Sequence, residues 1–194
     1  MKHVIYDFNG VLTEHTDDEL HLYDKKDWKA YHNSQLSSDK RWASSFNCAI
    51  APVQDRIKKE IHNGEKHRHR IVNHIITATP IEYYGKLQEF IKANKIQING
   101  RIMMREEEDT TPAIFVKKKL FEKLALHYHE RTSVTRNTTA FEELRNNTLV
   151  AFDDKWEAIT MWQSIGVFAI LVRDRNGNNF ENALLTARLK RDEK

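Results

Sequence analysis

The chain has 194 residues, 40% of them hydrophobic and 30% charged, which suits one globular domain with a sizeable core and leaves two full domains cramped. No apolar run approaches the roughly 20 residues of a membrane-spanning helix, and a single cysteine, Cys48, excludes a disulfide framework or a multi-cysteine metal site and fits a reducing cytoplasm. A formal net charge of +3 is compatible with an anionic substrate but too small to define a dedicated DNA-binding surface.

In chain order, Val4-Ile5-Tyr6 is predicted to be a short strand; a charge at Asp7, inside the run that ends at Phe8, is unlike a secretory signal. Residues 14–50 are polar and rich in Asp, Lys and Ser, and they read as an insertion folded over the end of that strand. Their aromatics, among them Trp28, Tyr31 and Trp42, read first as the insertion's own small core, with stacking on a base as the alternative. Pro52 to His62 spaces Val53, Ile57 and Ile61 by four, a helix ended by Asn63-Gly64. Ile71 to Ile76 is a second strand, followed by Thr77-Ala78-Thr79. Pro80 to Ala93 is a helix with proline in its first turn and Tyr84, Leu87, Phe90 and Ile91 on one face. Ala113 to His127 repeats that pattern. Leu149 to Phe152 and Val167 to Val172 read as strands around a helix from Trp156 to Ile165, which Gly166 ends. After Arg173, the tail at 174–194 holds a hairpin-type Asn176-Gly177 turn and a charged stretch expected to fray. Short runs buried on both faces and alternating with helices predict an α/β fold on a parallel sheet.

Ligands of open α/β sheets bind outside the carboxyl ends of the strands. Four groups fall there: Asp7-Phe8-Asn9-Gly10, Thr77-Ala78-Thr79, Lys117-Lys118-Lys119 and Asp153-Asp154. Taken singly, each has a bland reading: a turn, a strand end, a solvated helix face, and a pair of N-caps before Trp156. Together they are chemically coherent. A carboxylate can attack phosphorus and form an acyl phosphate, two carboxylates can hold Mg²⁺, and a threonine and a lysine can hold the transferring oxygens. The pairs His67/His69 and His127/His129 lack partners at a metal-ligand spacing and read as surface histidines.

The order Asp-x-Asx-Gly-Val, Thr, Lys, Asp-Asp resembles the four motifs of the haloacid-dehalogenase superfamily. Asp27-Trp28-Lys29-Ala30-Tyr31-His32, Met104-Arg105 with Asp109, Val116-Lys117-Lys118 and Phe152-Asp153-Asp154 are similar to the phosphatase domain of bacteriophage polynucleotide kinase-phosphatases, over roughly residues 1 to 173. The resemblance implies a three-layer Rossmann-like domain over 1–194 with a small cap insertion at 14–50. Asp7 would be the nucleophile, and the Asn9 carbonyl would face Mg²⁺. Thr77 would bond the phosphoryl group, and Lys117, or Lys118 if the helix register shifts, would neutralise charge. Asp153 would be a metal ligand, and Asp154 a second ligand or the group that orients a metal-bound water; Arg105 or a cap lysine could contact substrate in place of the arginine that the second motif lacks here. The implied substrate is a phosphorylated nucleotide or a nucleic-acid 3′-terminal phosphate. The implied location is the cytoplasm, the host's if the chain is phage-encoded.

Two positions depart from the pattern. Asn9 stands where the family's phosphatases carry the aspartate that protonates the leaving oxygen and activates water, and an amide can do neither. Thr79 stands where a Thr/Ser-Gly-Arg run supplies an arginine, so a bidentate phosphate clamp is missing there. A phosphatase of slow turnover is therefore expected, with a binding module that sequesters a phosphorylated ligand as the alternative. No Gly-x-x-x-x-Gly-Lys-Ser/Thr run is present, so no kinase half is expected.

Overall fold

The computed structural model describes residues 1–37, 54–55, 71–129, 139–174 and 176–192. Trp42, Phe46, Cys48, His67, His69, Asn63-Gly64 and nearly all of the predicted 52–62 helix lie outside them. Five strands form one sheet: β1 (Lys2–Tyr6), β2 (Ile71–Pro80), β3 (Ile102–Arg105), β4 (Thr148–Asp153) and β5 (Ala169–Leu171). Their spatial order is β3-β2-β1-β4-β5 and every pair is parallel. The helices are α1 (Asp17–Asp24), α2 (Trp28–Gln35), α3 (Tyr84–Ala93), α4 (Ala113–His129), α5 (Ala140–Asn147), α6 (Trp156–Ser164) and α7 (Phe180–Asp192).

The period of two along β1 separates two cores. Val4 and Tyr6 join Ile75, Phe152, Leu87 and Phe90 on the face covered by α3. Ile5 joins Ile76, Ala151 and the apolar stripes of α4, α5 and α6 on the other. Sheet and two helical layers make the predicted three-layer α/β fold. Among the described residues, no helix is long and apolar enough to cross a membrane.

Local chemistry sets most boundaries. Helix α6 ends in a Schellman motif: Val167 N–H bonds Trp162 O at 2.9 Å, Gly166 N–H bonds Gln163 O at 2.9 Å, and Gly166 takes φ 81°. Reciprocal capping boxes open α1 (Thr16 with Glu19) and α5 (Thr139 with Glu142). The predicted 80–93 helix is corrected at its start: β2 runs on to Pro80, a 3₁₀ turn covers Ile81–Tyr83, and Tyr83 takes the inward place assigned to Tyr84, which is exposed. The Asn176-Gly177 turn leads into α7 instead of a strand, so the tail is helical over Phe180–Asp192. There Arg188 and Arg191 pair with Asp24 of α1, and Lys190 pairs with Asp17.

A buried histidine pair ties β1 to β2. His74 Nδ1 accepts the Arg101 N–H at 3.0 Å, so its proton sits on Nε2 and is donated to His3 Nδ1, 3.0 Å away. Burial lowers His3 to about 4 and His74 to about 3. Both are neutral in the fold, whereas the unfolded chain protonates them near pH 6.5. Stability is therefore complete above pH 6.5 and falls as pH drops from there toward 4, by on the order of a few kcal/mol. Urea midpoints measured from pH 7.5 to 4.5 should show this slope, and the His3→Gln/His74→Gln protein should lose most of it. Equal slopes in both proteins would place the acid sensitivity elsewhere.

Candidate active site

The switch point of this sheet lies between β1 and β4, where successive connections depart in opposite directions and open a crevice at the strand ends. Asp7 follows β1 directly, and its N–H donates to Phe152 O of β4 at 2.9 Å, so the sheet's bonding continues into this residue. The chain then folds back tightly: Leu12 and Thr13 N–H groups both bond Phe8 O. Gly10 takes φ 77°, and a Cβ there would overlap the Asp154 carboxylate. Only glycine fits both the left-handed backbone and that contact.

From the opposite core, α4 delivers Lys117. Its Nζ donates to Asp7 Oδ2 at 2.8 Å and to Asp153 Oδ2 at 2.6 Å. Asp7 Oδ1 accepts the Phe8 N–H at 2.8 Å, and Trp162 Nε1 reaches Asp153 at 3.4 Å. Burial alone would pull the Lys117 ammonium down, but Asp153 and Asp7 outweigh it and hold the group above its ordinary range. Burial pushes Asp153 up to about 7, with Lys117 opposing and Asp7 and Asp154 adding to the rise. Burial also pushes Asp154 up, but there the His15 hydrogen bond and the nearby cations win and hold it below the usual carboxylate range.

One oxygen from each of Asp7, Asp153 and Asp154 lies within 4.8 Å of the others. Three buried carboxylates share this cluster with Lys117 as the ammonium in direct contact with two of them, and Asp154 Oδ1 is buried without a hydrogen-bond partner. A hard divalent cation would add positive charge to the cluster and give that oxygen a partner, and an all-oxygen donor set suits Mg²⁺. These residues therefore fit a metal.

The cluster opens into a cavity of about 510 Å³. Thr77 and Thr79 line it and are joined through their hydroxyls at 3.1 Å; Asn9 Nδ2 donates to Thr79 Oγ1 at 3.3 Å, while Asn9 Oδ1 is buried and unpartnered. Arg105 lines it too, with its guanidinium donating to the carbonyls of Ala78, Asp109 and Thr111. The fold thus brings Asp7, Asn9, Thr77, Arg105 and Lys117 to one cavity, with Asp153 and Asp154 clustered against Asp7 behind that lining. Lys118 is not brought there: it is exposed, one position off the helix stripe that Lys117, Phe121 and Leu124 share.

Several site residues escaped the sequence reading. His15 Nε2 sits 3.1 Å from Asp154 Oδ2, and its ring stacks on Tyr31 at 6.0 Å. Lys155 donates to the Tyr23 hydroxyl at 3.0 Å and places its ammonium 4.5 Å from the Tyr23 ring and 4.2 Å from that of Phe180. A lone histidine gives no sequence signal, but a lysine directly after the Asp153-Asp154 pair was available as one. His127 accepts from Arg101 Nε at 2.9 Å.

No family model matches this chain, and no curated protein sequence does. Chains of solved structures share its fold, among them the following two. One is a chain of the Pnkp1/Rnl/Hen1 complex, with a TM-score of 0.55 and 15% identity over 88% of this chain and 45% of that one. The other is a chain of the Pnkp1/Rnl/Hen1 RNA repair complex, with a TM-score of 0.53 and 14% identity over 89% of this chain and 42% of that one. The chain spans less than half the length of either.

Proposed function

We propose that this chain is a Mg²⁺-dependent phosphomonoester hydrolase of the haloacid-dehalogenase type that acts on a nucleic-acid or nucleotide terminal phosphate through an aspartyl-phosphate at Asp7. The observation that carries the proposal is Lys117 bridging Asp7 and Asp153 beside Asp154, at the sheet's switch point. The fold likeness to chains of an RNA repair complex supports a nucleic-acid end as substrate.

In this mechanism an Asp7 oxygen attacks phosphorus, the bond to the ester oxygen breaks, and that oxygen leaves with the electron pair. Thr77 and Arg105 hold the non-bridging oxygens, and Lys117 orients Asp7 and offsets its charge. Asp153, Asp154 and Asp7 would hold Mg²⁺, which supplies further charge neutralisation on the phosphoryl group. Water then attacks the acyl phosphate and frees Asp7. Both proton transfers lack a carboxylate at position 9, so water must supply and accept the protons, and the second step is slow.

A second reading comes from Asn9 itself: the pocket binds a phosphorylated ligand and does not turn it over. Incubation with a 3′-phosphorylated oligonucleotide and with nucleoside monophosphates tests both readings. Slow phosphate release, abolished by EDTA and restored by Mg²⁺, supports the hydrolase. Calorimetric binding of nucleotides without release supports the binder. Absence of release from both the native chain and its Asn9→Asp variant removes the hydrolase reading.

A further inference from the structure

Trp28 opens α2 and lines the same cavity as Asp7, yet it is 45% exposed, unlike Tyr31, which is buried. Its aromatic neighbours meet it edge-on: Tyr23 at 5.0 Å and 85°, Tyr31 at 6.4 Å and 86°. Neither ring stacks on the indole. The insertion's aromatics therefore divide, with Tyr31 serving as core and Trp28 facing the cavity. In the same wall, His32 holds a buried Nδ1 with no hydrogen-bond partner, a state that a polar ligand atom would relieve. Burial lowers His32 to about 4, so the ring is neutral and can donate or accept. Lys155, fixed between Tyr23 and Phe180, adds a cation to this wall.

A flat apolar surface, a neutral polar group and a cation around one cavity define the ligand beyond its phosphate. We propose that Trp28 is the stacking platform for a single unpaired nucleobase, so that the substrate class is a terminal nucleotide free of its partner strand. The proposal rests on the phosphatase reading for the placement of the phosphate at Asp7. A cavity of about 510 Å³ lies within the usual range for one small ligand such as a single nucleotide, and the face of Trp28 that a base would stack on is, among the described residues, free of other rings. Stacking tolerates any base, because every base has a π-face, so little base preference is expected. Trp28 is a positioning residue here; it does not touch the reacting atoms.

The test compares the full chain with Trp28→Ala and Trp28→Phe on three Mg²⁺-containing substrates: a single-stranded oligonucleotide with a 3′-phosphate, a nucleoside 3′-monophosphate, and an oligonucleotide whose terminal phosphorylated residue is abasic. Trp28→Ala should raise KM about 5- to 150-fold on the first two and leave the abasic end within about twofold of the full chain. Trp28→Phe should recover most of the loss. Binding is read independently, as nucleotide-induced quenching of tryptophan fluorescence that Trp28→Ala removes. The strand and the free nucleotide distinguish a chain end from a mononucleotide as the source of the base. A phosphotyrosyl peptide and a blunt duplex end serve as controls, and both should be poor substrates. Equal losses on abasic and normal ends, no loss on either, or Trp28-dependent turnover of the peptide alone would overturn the proposal. If no substrate releases phosphate but quenching by the nucleotide persists and requires Trp28, the stacking inference stands and the phosphatase reading falls.

Discussion

Asn9→Asp should raise the rate of phosphate release by about 10²–10⁴-fold, the usual worth of one positioned acid-base group. The site accommodates the change: Asp is nearly isosteric with Asn, and Thr79 Oγ1, which now accepts from the Asn9 amide at 3.3 Å, can donate to a carboxylate instead. The buried Asn9 Oδ1, which has no partner, becomes a carboxylate oxygen whose lone pairs are free to take up a proton. The two steps should respond unequally. On the proposed mechanism the acyl phosphate of the native chain would wait for an unassisted water, so acid-quenched protein should carry phosphate on Asp7. In Asn9→Asp that label should fall to a trace while turnover rises. Rapid-quench counting of protein-bound phosphate separates these outcomes. Unchanged turnover with Asp at position 9 would mean that another group already performs the proton transfers, and the mechanism above would need a different acid.

Lys117→Met should cost about 3–5 kcal/mol of stability, the usual penalty for breaking a buried ion pair from one side. Methionine nearly matches the aliphatic stem but leaves Asp7 and Asp153 facing each other without the ammonium that lies 2.8 and 2.6 Å from them. For a chain of this length that corresponds to a fall in Tm of roughly 6–20 °C. Because the carboxylates repel each other more once the lysine is gone, added Mg²⁺ should raise the Tm of Lys117→Met more than that of the native chain. Activity should be lost in the variant even where the cation restores its Tm. Scanning calorimetry with and without Mg²⁺ checks the prediction. A variant as stable as the native chain, with no larger response to the cation, would show that Lys117 is not the counter-charge of this cluster.

The legible part of the fold was the part governed by one physical rule. β1, β2, β4 and β5 announce themselves because strands buried on both faces must be short, β-branched and apolar. β3 did not: Ile102-Met103-Met104-Arg105 sits at the sheet edge, two of its four residues are methionines, and nothing marks it as a strand. Helices α1 and α5 are eight residues each and mostly polar, yet Thr16-x-x-Glu19 and Thr139-x-x-Glu142 are capping-box patterns that were open to reading. At the site, the strand-end residues were found because a parallel sheet delivers its C-terminal ends to one edge. Lys117 could have been separated from Lys118 by asking which lysine falls within the apolar stripe of Val116, Leu120, Phe121 and Leu124. His15 could not, because it is a lone histidine whose partner Asp154 lies 139 positions away; Lys155 was marked only by its place after Asp153-Asp154, since its aromatic partners come from α1 and α7, whose placement no local pattern encodes.

The contacts of α7 bear on the order in which the molecule is made. Arg188 and Arg191 reach back across 164 and 167 positions to Asp24, and Phe180, whose N–H bonds Asp154 O, packs its ring against Tyr23 and His15. A ribosome releases Asp7 well before α7, so its carboxylate is made before the wall beside it can close. Until α7 emerges, Lys155 lacks one of the two rings that sandwich it and α1 lacks its counter-charges. The acidic cluster of the nascent chain therefore lacks that wall until α7 has emerged, whereas the sheet, whose five strands all precede α7, can pair without it.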